Sequence, residues 1–333
     1  VTLALAEFIG KADAHHRIEA LCRQALDTSC SLQSVLENDP QVSEHLSADR
    51  LTQLLDPTTA TGSSALFVRQ VVARYKELMN VDYQIDGPQD APVIVLSNSL
   101  GTTRAMWQPQ LEALTQHFRV LRYDTHGHGA TRKNGKVTLA QLGEDVVALL
   151  DHLNIAKAWF CGISMGGVTG LWLGRFAPER FYGLVVANTA ARIGDQASWL
   201  SRARAVRQEG MEVVAAGAAD RWFTHAFRQK TPEVVAALCH QLTHIDAEGY
   251  AACCEALAAA DLRAEVGQIP IPVLIVAGES DPVTTVADAD FLHQQIPVSE
   301  VVVLAASHLS NIEAPKAFSS ALLGFVQGEK HGR

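Results

Sequence analysis

The run Ala158-Trp159-Phe160-Cys161-Gly162-Ile163-Ser164-Met165-Gly166-Gly167 decides the reading of this chain. Residues 158–162 are apolar and aromatic enough for a buried strand, and residues 165–176 have the length and pattern of a helix. Between them lies G-x-S-x-G. Small residues on both sides of a serine let a strand turn sharply into a helix and leave the hydroxyl exposed at the turn. The pattern alone is loose; its strand–turn–helix setting makes it a nucleophile elbow.

On either side of this run, short apolar strands alternate with helices. Strands are expected at 81–85, 92–97, 118–124, 158–162, 181–188, 272–278 and 300–305, and helices at 138–153, 165–176 and 315–326. Continuous apolar runs such as Val93-Ile94-Val95-Leu96 and Val273-Leu274-Ile275-Val276 suit strands buried on both faces. Alternation with helices of this length implies crossovers and a mainly parallel sheet, an α/β fold. Residues 190–267 are almost wholly helical in pattern, so they are expected to form a cap inserted between two strands. The Ile269-Pro270-Ile271-Pro272 stretch is the re-entry to the sheet.

A serine hydroxyl is a weak nucleophile; it needs a base, and the base needs an orienting acid. In this architecture the order is Ser, then Asp or Glu, then His, each at the C-terminal end of a strand. Asp281 follows strand 272–278 and His308 follows strand 300–305, so Ser164, Asp281 and His308 form the expected triad. Glu279 and Asp288 are nearby acids, but the first lies at the strand end and the second on a helix. His293 also falls in a helical run, which makes it a surface residue.

The oxyanion hole should use the backbone N–H of Met165, the residue after the nucleophile, and a donor from the loop after strand 92–97. In Asn98-Ser99-Leu100-Gly101-Thr102 the expected donor is Leu100. Removing one such donor typically costs about 2.7–4 kcal/mol of transition-state stabilisation. His126-Gly127-His128-Gly129 invites a metal reading, but it lacks the companion ligands a metal centre requires, and its glycines suit a turning loop. No metal and no cofactor are expected.

The front of the chain, residues 1–79, has a different grammar. Apolar positions recur at helical spacing in Ile18, Leu21, Cys22, Ala25 and Leu26, and again in Val68, Val71, Val72, Tyr75, Leu78 and Met79. Ser63 and Ser64 are candidate caps for the second helix, after a break at Asp56-Pro57 and Thr61-Gly62. The boundary between an all-helical segment, 1–79, and the α/β domain, 80–333, is therefore expected near residue 80. A division of 333 residues by average domain size would have put it near the middle.

The composition, 48% apolar and 19% charged, is that of a globular protein, and the formal charge of −9 argues against nucleic-acid binding. No apolar run approaches the roughly 18 residues of a membrane span, and residues 1–10 lack a basic leader. The cysteines Cys22, Cys30, Cys161, Cys239, Cys253 and Cys254 show no C-x-x-C spacing, so a reduced, cytoplasmic protein is expected.

Residues 81–327 resemble the α/β-hydrolase superfamily, and within it the 3-oxoadipate enol-lactone hydrolases of the β-ketoadipate pathway. The stretches that carry the resemblance are Leu96-Ser97-Asn98-Ser99-Leu100-Gly101-Thr102, Tyr123-Asp124-Thr125 with Gly127-His128-Gly129-Ala130, the elbow from Cys161 to Gly167, and Asn188-Thr189-Ala190-Ala191. Others are Arg221-Trp222-Phe223-Thr224, Gly249-Tyr250-Ala251-Ala252-Cys253-Cys254 and His308-Leu309-Ser310-Asn311-Ile312-Glu313. One departure is His126, where such enzymes usually have Arg. The resemblance implies a small anionic lactone substrate bearing an acetate arm, which calls for a cation in an otherwise apolar pocket. Arg192 is the first candidate, Arg104 and Arg132 are alternatives, and Trp222 is expected to wall the pocket. A general carboxylesterase, a perhydrolase or a C–C bond hydrolase would use the same triad.

Gly10-Lys11 with Ala14-His15, Pro40-Gln41-Val42-Ser43, and Leu54-Leu55-Asp56-Pro57 followed by Gly62 resemble the C-terminal tail of 3-carboxy-cis,cis-muconate cycloisomerase, of the fumarase/aspartase superfamily. Without that family's central bundle and catalytic serine loop, cycloisomerase activity is not expected.

Overall fold

The computed structural model describes residues 1–56, 81–131 and 135–328. The chain divides into two compact units, Val1–Tyr75 and Lys76–Arg333. The expected helix from Val68 to Met79, its caps Ser63 and Ser64, and the Thr61-Gly62 break lie outside the described residues.

In the first unit, α1 (Thr2–Ile9), α2 (Lys11–Thr28), α3 (Leu32–Glu37), α4 (Pro40–Ser43) and α5 (Ala48–Leu55) follow one another closely. Ser31, Asp39 and Ser47 each accept a hydrogen bond from an amide of the next helical turn, the usual device for satisfying orphan N–H groups. Asp39 also pairs with Arg17 of α2. The buried stripe of α2 is Ala14, Ile18, Leu21 and Ala25. The expected Leu26 is 81% exposed. One residue past Ala25 turns about 100° around the helix and leaves the stripe.

The second unit is built on a seven-stranded sheet: β1 (Tyr83–Asp86), β2 (Val93–Ser97), β3 (Arg119–Tyr123), β4 (Ala158–Ile163), β5 (Phe181–Ala187), β6 (Val273–Gly278) and β7 (Ser299–Leu304). Its order is β1-β3-β2-β4-β5-β6-β7, with β1 antiparallel to β3 and the other neighbours parallel. Every residue of β2 and β6 is buried, as continuous apolar runs require. The crossovers include α6 (Gln108–Leu114), α7 (Leu139–His152) and α8 (Met165–Phe176); a capping box between Thr138 and Gln141 starts α7.

Between β5 and β6 the cap forms α9 (Gln196–Glu209), α10 (Glu212–Ala215), α11 (Ala218–Trp222), α12 (His225–Lys230), α13 (Pro232–Thr243) and α14 (Ala247–Ala259). After β6 come α15 (Val286–Gln295), then β7, α16 (Ser310–Glu313) and α17 (Pro315–Gln327). Cap and base touch through bare backbone where Gly249 of α14 meets Gly127. A Cβ built on Gly127 would lie 2.3 Å from the Gly249 Cα.

Candidate active site

Ser164 stands between β4 and α8 with φ 55° and ψ −112°, a conformation that L residues rarely adopt and that tight packing must hold in place. The flanking glycines make it possible. A Cβ on Gly162 would lie 2.2 Å from the Gly166 carbonyl oxygen, and one on Gly166 would lie 2.2 Å from that of Ser97. The Ser164 amide donates to Ala187 at 2.9 Å, and Thr189 Oγ1 donates to the Ser164 carbonyl at 2.8 Å, so β5 holds the turn from beside it. The N-terminus of α8 begins at Met165 and adds its positive dipole end.

His308 and Asp281 meet through a 2.7 Å hydrogen bond from Nδ1 to Oδ2, and both are buried. Asp281 Oδ1 accepts the amides of Val283 at 2.8 Å and Thr284 at 3.1 Å; its Oδ2 also accepts Thr284 Oγ1 at 2.9 Å and Asn188 Nδ2 at 3.0 Å. Burial by itself would push the Asp281 carboxyl up. The hydrogen bond and charge of His308, with the bonds from Asn188 and Val283, outweigh burial and hold it below the ordinary carboxylate range. The rival residues do other things. Glu279 is exposed, Asp288 caps α15 with Thr285, and His293 is an exposed residue bonded to Ser299.

Ser164 and His308 line one cavity with Leu100, Trp199, Arg202, Arg221, Trp222 and Tyr250. Of the amides from Ser99 to Thr102, three donate inside the protein. Ser99 donates to Met106 Sδ at 3.4 Å, Gly101 to His128 Nε2 at 3.0 Å, and Thr102 to the Ser99 carbonyl at 3.2 Å. The fourth belongs to Leu100. Cys161, one strand residue before the elbow, is fully buried, and burial pushes its thiol far up, which makes it inert.

The cation expectations need correction. Arg192 does not line the cavity; its guanidinium lies 3.9 Å from Asp261. Arg104 is held by Asp124, whose Oδ1 accepts its amide at 2.7 Å, and by Asp82. Arg132 lies outside the described residues. Trp222 lines the cavity, and the cations beside it are Arg202 and Arg221. Arg202 stacks 4.8 Å above the Trp199 ring; Arg221 donates to the Val214 carbonyl at 2.8 Å. Burial, and then the like charge of Arg202, hold the Arg221 guanidinium below its ordinary pKa. Two cations lining one cavity suit a ligand anion. Closeness in sequence to the end of β5 points to Arg192, whereas a cap helix brings in residues from farther along the chain. Arg221 stood inside one of the stretches that carried the resemblance, and that was the available signal.

Residues 92–315 match the family described as alpha/beta hydrolase fold, and residues 1–71 match that described as adenylosuccinate lyase C-terminus. The chain is 51% identical over 243 residues to 3-oxoadipate enol-lactonase 2 of Acinetobacter baylyi, covering 73% of this chain and 91% of the relative. It is 46% identical to 3-oxoadipate enol-lactonase 1 of the same organism, covering 78% and 98%. Among solved structures it is similar to the enol-lactonase from Burkholderia xenovorans, with a TM-score of 0.73 and 46% identity over 74% of this chain and 96% of that one.

Proposed function

The chain belongs to the α/β-hydrolase fold family and, within it, to the 3-oxoadipate enol-lactonases, and on that premise we propose that it opens 3-oxoadipate enol-lactone to 3-oxoadipate through an acyl-enzyme on Ser164. The observation that carries the reading is the His308–Asp281 pair beside Ser164 in a cavity that Arg202 and Arg221 also line.

In this reading Ser164 Oγ attacks the lactone carbonyl while His308 Nε2 takes its proton. Asp281 keeps the other ring proton on Nδ1 and stabilises the imidazolium. The amides of Leu100 and Met165 hold the tetrahedral oxyanion. The acyl C–O bond then breaks, and the imidazolium returns the proton to the departing enol oxygen. The enol converts to its ketone, which withdraws the leaving group from the reverse reaction. A water molecule, deprotonated by His308, attacks the acyl-enzyme, and collapse of the second tetrahedral intermediate frees Ser164 and the product. The acetate arm of the substrate lies against Arg202 and Arg221.

Hydrolysis of synthetic enol-lactone and of p-nitrophenyl acetate by the wild type and Ser164→Ala tests the proposal. Lactone turnover that vanishes in the variant supports it. A wild type that ignores the lactone and cleaves the ester makes the protein a general carboxylesterase.

Two further parts belong to the same reading. A reduced, cytoplasmic setting is supported by all six cysteines being free thiols, and no helix among the described residues is long and apolar enough to cross a membrane. The first unit is read as kin to the C-terminal tail of 3-carboxy-cis,cis-muconate cycloisomerase, a reading supported by the match of residues 1–71 to a lyase C-terminus.

A further inference from the structure

His128 has no part in the triad, yet it is 1% exposed and bonded at both ring nitrogens. Nδ1 lies 2.8 Å from the His126 carbonyl oxygen, which can only accept, so Nδ1 carries the proton. Nε2 lies 3.0 Å from the Gly101 amide, which can only donate, so Nε2 carries none. The two bonds together fix one neutral tautomer. Gly101 sits at φ 79° and is closed in from the cap side, where a Cβ would lie 2.6 Å from Leu242 and 3.2 Å from Tyr250. The loop that carries Leu100 is thus held between His128 beneath and the cap above. The His126 carbonyl, in turn, also accepts Cys253 Sγ of α14 at 3.5 Å.

We propose that His128 is a positioning residue for the oxyanion loop: by accepting the Gly101 amide on Nε2, it sets the preceding peptide so that the Leu100 amide meets the developing oxyanion. The proposal rests on the reading of Leu100 as an oxyanion donor. It absorbs the His-Gly-His-Gly motif without a metal, because both ring nitrogens are committed to backbone groups. An imidazolium in this place would turn an N–H toward the Gly101 N–H and push the loop away. The charged and titratable groups facing the ring are Asp124, Asp246, His126 and Tyr250, whose ring lies 6.3 Å away; burial dominates and lowers the pKa of the ring.

The test compares His128→Gln, whose side-chain oxygen can accept near the position of Nε2, with His128→Phe, which fills the space without an acceptor. Loss of a whole oxyanion donor costs about 10²–10³ in kcat, so a displaced one should cost about 10–100-fold in the Phe variant. KM should stay within about twofold, and Gln should recover most of kcat. A folded Phe variant with wild-type kcat, or a Gln variant as impaired as Phe, overturns the proposal. Long-range ¹H–¹⁵N spectra of the wild-type histidine rings give a second readout that needs no Phe variant. A proton on Nδ1 with bare Nε2 at neutral pH upholds the proposal, and a proton on Nε2 overturns it. Running both variants on p-nitrophenyl acetate as well, with fluorophosphonate labelling of Ser164, separates failure here from failure of the lactonase or triad reading.

Discussion

Asn188, whose backbone sits at φ 47°, donates its side-chain amide to Asp281 Oδ2 at 3.0 Å and to the Ser307 carbonyl at 3.0 Å. Its own side-chain oxygen accepts Ser310 Oγ at 2.6 Å. The end of β5 therefore braces the two loops that carry Asp281 and His308, and does so from a left-handed conformation that asparagine tolerates better than most residues.

Asn188→Ala removes that brace. The variant should lose about 1–2 kcal/mol of stability and about 5–30-fold in kcat, with KM little changed. Denaturant unfolding and steady-state kinetics check both. Wild-type values in both measurements would show that Asp281 is held well enough without Asn188.

Asp281 also sets an acid dependence. Its folded carboxyl binds a proton less readily than the unfolded one, for which the ordinary pKa is about 3.9. Its contribution to stability is therefore fully present above that value and is lost as pH falls through the lowered folded pKa. Asp281→Asn should flatten this part of the profile while abolishing most of kcat, by about 10⁴-fold if it behaves as other triads do. Unfolding free energies of both proteins from neutral pH to pH 3 measure the slopes. Parallel curves would contradict the assignment.

Arg221→Met and Arg202→Met should each lower kcat/KM for the enol-lactone by about 10–100-fold, the range of a charge-assisted hydrogen bond. Turnover of p-nitrophenyl acetate, which has no carboxylate, should stay within about threefold. Comparable losses on the two substrates would mean that the arginines support the cap rather than the anion. Arg192→Met, facing Asp261 instead of the cavity, is the control expected to act on neither substrate.

A chain that starts at Val81 should keep the kcat of the full-length protein to within about twofold, since the triad and all the described cavity residues come from the second unit. Loss of folded protein would show that the first unit completes the hydrolase fold.

The centre of the sheet could be read from sequence because strands such as β2 and β6 are buried throughout and so form unbroken apolar runs; β6, Val-Leu-Ile-Val-Ala-Gly, is the plainest. Ser164, Asp281 and His308 have a related signal, since each lies a few residues past the end of a strand, β4, β6 or β7. Helices offer no comparable anchor. Which face of α9 or α11 looks into the cavity depends on how the cap is seated, so the places of Arg202 and Arg221 in the lining leave no local signal. In α2 the same limit leaves Leu26 outside a buried stripe that keeps Ile18, Leu21 and Ala25. The bonds of His128 and Asn188 join groups far apart in sequence and leave no local signal.

The contact between Gly127 and Gly249 works as a key in a slot. A Cβ on Gly249 would lie 2.5 Å from the Gly127 Cα, so the slot admits only a residue without a side chain. One residue inserted into α14 ahead of Gly249 would rotate the helix by about 100° and bring a side chain into the slot. The register of α14 ahead of Gly249 is therefore fixed by the base on which the cap sits.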